Sequence, residues 1–138
     1  MGQTSQTVDW EALKTDLEGV WRQMPRPFRT DRSIHGTLQC YLYGRLSDAG
    51  FQVIADYLPP RIPDRSVDLI ALDQEQRIVH AVCLDTVITL YAVKSLTSFE
   101  AANRIILTTG VLEKKVQESR FFLKPEIAHI HLRTPDKL

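Results

Sequence analysis

Cysteine is scarce in these 138 residues: Cys40 and Cys83 stand alone, and neither belongs to a CxxC pair. That excludes a disulfide framework and a zinc-ligand spacing, and it predicts two buried, reduced thiols. Long apolar runs are also missing. None approaches the roughly 20 residues needed to cross a bilayer, so no membrane partner is expected. Charge of one sign is absent as well. With 17 Lys+Arg against 17 Asp+Glu the formal net charge is zero, which removes a global attraction to nucleic acid. The opening MGQTSQTVDWE has no basic region followed by an apolar stretch, so a signal peptide is not expected and a cytoplasmic location is. Internal repeats and low-complexity tracts are absent too.

What is present suits an ordinary globular chain, with 43% hydrophobic and 25% charged residues. Its length fits one domain, 1–138, divided into an N-terminal helix with an Arg-rich connector (1–32) and a core (33–138). Trp10, Leu13, Leu17, Val20, Trp21 and Met24 recur at helical spacing behind Asp9, a plausible N-cap, and Pro25 ends that helix. A second helix is expected over 33–49, stopped by Gly50. FQVIADY alternates as a half-buried strand, and LPPRIPDR, with three prolines, reads as a loop. RSVDLIAL and RIVHAVCLD, joined by DQEQ, read as an antiparallel hairpin. In the second of these His80 is expected to point away from the face of Val79 and Ala81. A helix over 87–99 would use Leu90, Val93, Leu96 and the stem of Lys94. RIILTT is a buried strand, Gly110 opens a last helix to about Phe122, and EIAHIHL closes as a short strand.

A few groups carry chemistry. Asp68 lies in an apolar strand, where an unpaired carboxylate is expensive; it is either a metal ligand or a strand-start Asp bonded to a backbone amide or to an Arg such as Arg65. His129 and His131 share a strand face and offer two imidazoles for a metal, without an evident third ligand. Arg22, Arg26, Arg29 and Arg32 with Phe28 form the one basic-plus-aromatic cluster, suited to tracking phosphates or to pairing with Glu18 and Asp31. Thr108-Thr109-Gly110 either offers amides to a phosphate or caps a helix. Trp10 and Trp21 lie about three turns apart on one helix face, for core packing or a dimer interface.

The stretch GTLQCYLYGRLSDAGFQV, then VDLIALDQEQRIVHAVCLD, then RIILTTG resembles the core of the PD-(D/E)XK, or restriction-endonuclease-like, superfamily. The likeness covers residues 36–110. It implies an α/β fold with a three-layer core, a mixed sheet of about four to five strands flanked by helices, here with an extra N-terminal helix. Asp68 matches the family's first acidic position, and Gln39 falls near the position of its opening glutamate. The acidic-x-Lys triplet corresponds to Cys83-Leu84-Asp85. In that family two carboxylates hold a hard divalent cation and the lysine activates water. Here a soft thiol and an acid of the wrong charge stand in those places. Moving the acid to Asp85 puts Val87 at the lysine position.

The resemblance therefore implies a degenerate site of Gln39, Asp68, Cys83 and Asp85 in a nuclease-like module without catalysis and without cofactor. Such a module would bind nucleic acid, through Arg22, Arg26, Arg29 and Arg32, or a protein partner in DNA processing. Two alternatives stay open. One is an active nuclease with Mg2+ or Mn2+ on Asp68 and Asp85, with Asp73 as a further ligand, and with a migrated lysine: Lys94, or Lys114 or Lys115 further along. The other is a homodimeric interaction domain.

Overall fold

The computed structural model describes residues 8–135. Helix α1 spans Trp10–Gln23, and Asp9 caps it by accepting from the amides of Glu11 and Ala12 at 3.1 Å. A short 3-10 turn, Arg26–Phe28, leads into α2, Asp31–Asp48. This helix starts two residues before the expected Ser33. Thr30 and Ser33 form a capping box, each side chain accepting from the other's amide, and that places the first turn ahead of the apolar stripe. Its far end is a Schellman motif. Gly50 adopts φ 102°, its amide reaches the Ser47 carbonyl, and the Phe51 amide reaches that of Leu46.

Five strands follow: β1 Gln52–Tyr57, β2 Val67–Leu72, β3 Ile78–Asp85, β4 Asn103–Thr108 and β5 Ile127–His131. They lie in sequence order in one mixed sheet. β1, β2 and β3 form an antiparallel meander, while β4 and β5 run parallel to β3. Two helices make the parallel crossovers: α3, Leu90–Thr97, and α4, Glu113–Ser119, the latter extended by a 3-10 turn at Arg120–Phe122. The expected α/β order and hairpin are present.

The sheet is buried on both faces. Leu13, Leu17 and Trp21 of α1 and Leu38, Leu42 and Leu46 of α2 pack on one face against Leu69, Val82, Leu84 and Leu107. Ala92, Val93 and Leu96 of α3 cover the other, against Ile70, Ala81, Cys83 and Ile106. Helices on both faces explain why β2 and β4 read as apolar runs without alternation.

Several expectations are corrected. α3 begins at Leu90, which is exposed; its buried stripe runs through Val93 and Leu96 but not through Leu90 or Lys94. Gly110 does not open α4, which starts at Glu113. A Cβ at Gly110 would lie 2.6 Å from the Thr86 carbonyl oxygen and 2.8 Å from Val116 Cγ2, so this glycine is there for close approach. Cys83 is buried but Cys40 is exposed, on the solvent side of α2. His80 does not point away from Val79. A bulge between β2 and β3 leaves Val79 unpaired, and both residues turn toward the α1 layer. Trp21 is buried in that layer, and Trp10 packs against it partly buried.

Candidate functional site

Asp68 is 2% exposed at the start of β2, and its burial is answered on every side. Oδ1 accepts from His35 Nε2 at 2.8 Å. Oδ2 accepts from the Leu84 amide at 2.6 Å and from Arg65 Nη2 at 3.0 Å. Burial alone would raise this carboxyl; the His35 bond, the Arg65 charge and the Leu84 amide together hold it below its ordinary range. The same bond to Asp68 raises His35 against the opposing effect of its own partial burial.

Arg65 closes the arrangement. Its Nη2 reaches Asp85 Oδ1 at 3.0 Å and the Leu84 carbonyl at 3.3 Å while holding Asp68. Burial disfavours the charged guanidinium, but the Asp68 and Asp85 carboxylates around it raise it above its normal range. Asp85 differs from Asp68: burial raises its carboxyl, only partly countered by Arg65, and its Oδ2 is buried without a hydrogen-bond partner. Of the two readings of Asp68, the bond to Arg65 and to a backbone amide is the arrangement found.

Gln39 also has work at this end of the sheet. Its Nε2 donates to Asp56 Oδ1 at 3.0 Å and to the Asp68 carbonyl at 2.9 Å. Asp56 has φ 55° inside β1, a left-handed conformation uncommon for a residue other than glycine. A glutamate at position 39 would offer no donor to either oxygen.

The remaining residues of the expected site lie elsewhere. Cys83 faces the α3 layer, and burial pushes its thiol up to about 12, so it is a neutral core group. Lys94 points to solvent from α3 and makes no ion pair with Asp68 or Asp85. Lys114 and Lys115 are exposed on α4. Asp73 sits at the opposite end of β2, where it accepts from the Glu75 and Arg77 amides and pairs with the Arg77 side chain.

A divalent cation is what the resemblance would place between Asp68 and Asp85. The residues present do not fit one. A metal would bind these oxygens at about 2.0–2.6 Å, and the guanidinium nitrogen at 3.0 Å from both already stands between them. Among the described residues no cluster of three or more His, Cys, Asp or Glu side chains gathers for an ion.

Above this cluster opens a cleft of about 250 Å³ lined by Asp31, Arg32, His35, Leu84, Asp85, Thr86 and Thr109. It lies where the antiparallel and parallel halves of the sheet meet, at the carboxyl ends of β3 and β4, a place where α/β sheets commonly take ligands. Arg32 and His35 are one turn apart on α2 and both face it. Of the other arginines, Arg29 is engaged structurally: it donates to the Met24 carbonyl at 2.8 Å and to that of Arg22 at 3.0 Å, tying off the end of α1. Arg22 and Arg26 are exposed. The Thr109 and Gly110 amides donate to the Asp85 and Thr86 carbonyls, extending the β3–β4 ladder, so they are not offered to a phosphate.

His129 and His131 do share a face, and Thr108 sits between them. Thr108 Oγ1 lies 2.8 Å from His129 Nε2 and 2.9 Å from His131 Nδ1. Arg120 Nη1, always a donor, meets His129 Nδ1 at 2.9 Å, so that ring donates from Nε2 to Thr108 and the hydroxyl donates to His131. Burial and the neighbouring Arg120 charge lower His129 to about 4. The lone pairs a metal would need are occupied.

Sequence reasoning missed His35, although it lies four residues before Gln39, on the same face of α2 one turn away. Searches against protein-family models and curated proteins find no match for the chain.

Proposed function

We propose that this chain is a non-catalytic module on a restriction-endonuclease-like scaffold, and that the mouth of its cleft meets nucleic acid. One observation carries the reading: Arg32 and His35 line the cleft together with Asp31, and the carboxylates beneath it, Asp68 and Asp85, are bridged by Arg65. The hydrolytic site of that superfamily needs its acids free for a metal and a lysine at hand. Here the acids are taken up by Arg65, and Lys94 faces solvent. The order of elements, with a helix before an antiparallel meander and a parallel fourth strand, agrees with the proposed scaffold. Arg22, in the last turn of α1, and Arg26, in the 3-10 turn before α2, are further exposed arginines that a phosphate backbone could meet.

The test is fluorescence anisotropy on short DNA and RNA at low and moderate salt, beside a cleavage assay in Mg2+ and Mn2+. Binding that weakens with salt, and a salt slope reduced by about one on Arg32→Ala, is the expected result. Metal-dependent cleavage lost in Asp68→Ala would overturn the reading in favour of an active nuclease. A second reading, protein interaction or homodimerisation, has its own observation: Leu112 and Phe121 are 64% and 87% exposed on one flank, with the Phe121 and Phe122 rings in edge contact. A stable dimer without nucleic-acid affinity would favour it.

A further inference from the structure

Arg65 reaches Asp68 and Asp85 from the connection between β1 and β2, three residues before Asp68. A single nitrogen of its guanidinium touches Asp68 Oδ2, Asp85 Oδ1 and the Leu84 carbonyl. Two carboxylates and a backbone carbonyl are a hard oxygen set of the kind divalent cations take. The arginine is also anchored. Its own carbonyl accepts from Ser95 Oγ of α3 at 2.5 Å, and its Nη1 bonds the Ser66 carbonyl.

We infer that Arg65 is a resident cation, permanently seated where Asp68, Asp85 and the Leu84 carbonyl would otherwise hold a divalent ion. Charge supports the substitution. The Arg65 guanidinium stands against both carboxylates, and the His35 ring meets Asp68 on its other oxygen, so the acids have partners without a metal. The seat is already full in the wild-type chain, so its folding is indifferent to divalent ions. Removing the guanidinium leaves two acids and a carbonyl converging on an empty place. The inference rests on this cluster alone and does not require nucleic-acid binding.

The experiment is a Mn2+ titration by electron paramagnetic resonance, paired with thermal unfolding in EDTA and in Mn2+, on the full chain. Wild type is expected to show no Asp68-dependent Mn2+ binding and the same melting temperature in both buffers. Arg65→Ala is expected to melt lower in EDTA, to recover with Mn2+, and to bind one ion about tenfold or more tighter than wild type. That gain should vanish in Arg65→Ala/Asp68→Asn, and Arg65→Lys, which keeps a cation, should show none of it. Should Arg65→Ala not fold in either buffer, Arg65→Gln takes its place in the titration. Wild-type Mn2+ binding that disappears in Asp68→Asn would overturn the inference, because Arg65 would then be displaceable. A folded Arg65→Ala or Arg65→Gln that gains no Mn2+ site would overturn it equally.

Discussion

Single side chains at the cleft act through what they donate. Gln39 satisfies the Asp56 carboxylate and the Asp68 carbonyl with one amide nitrogen. Gln39→Glu, though nearly isosteric, replaces that donor by a carboxylate facing two acceptors, and we expect a loss of about 1–3 kcal/mol in urea unfolding. The histidines set the pH response. His35 lies above its ordinary 6.5, so its contribution is complete below that value and fades as pH rises through the raised one. His80, between Trp10 at 5.5 Å and Phe51 at 5.2 Å with neither nitrogen bonded, is lowered by burial. His129 and His131 are lowered too, by burial first. For these three the unfolded chain takes up protons that the folded chain refuses, so stability falls as pH drops below about 6.5. With these three groups set against His35 and the raised Asp85 carboxyl, the urea midpoint should decrease from about pH 7 to about pH 5. His80→Phe, which keeps a ring between Trp10 and Phe51 without a titrating nitrogen, should make that decrease smaller.

Between residue and fold, the connections decide where elements begin. Capping chemistry was readable for α1 at Asp9, and the stop at Gly50 was readable from glycine alone. Gly110 was read correctly as a junction but for the wrong purpose. It lets the β4–α4 turn press against the Thr86 carbonyl, a close approach between segments 24 positions apart that local pattern does not carry. Gly110→Ala should therefore force the turn or Val116 to move and cost about 1–3 kcal/mol, measured by thermal unfolding. The bulge that sends Val79 and His80 to one face was invisible for a related reason. Strand alternation predicts opposite faces, and only pairing with β2 shows the extra residue.

At the scale of the whole molecule, two layers of helix enclose one sheet. Leu38 is fully buried between α2 and the sheet, so Leu38→Ala should destabilise by about 2–5 kcal/mol in the same urea assay, a larger loss than at the cleft. The order of elements, the hairpin, the buried strands and the odd position of Asp68 followed from the sequence, because periodicity and turn residues act over a few positions. That a thiol at Cys83 is a poor ligand for a hard cation was legible too, since it depends only on ligand chemistry. What surrounds Asp68 was not. Arg65 arrives from a proline-rich loop, His35 from α2 and Asp85 from β3, and their meeting at Asp68 is a product of the sheet order and the β2–β3 register. Local physics wrote the elements and marked one buried acid; tertiary structure alone decided which charges would surround it.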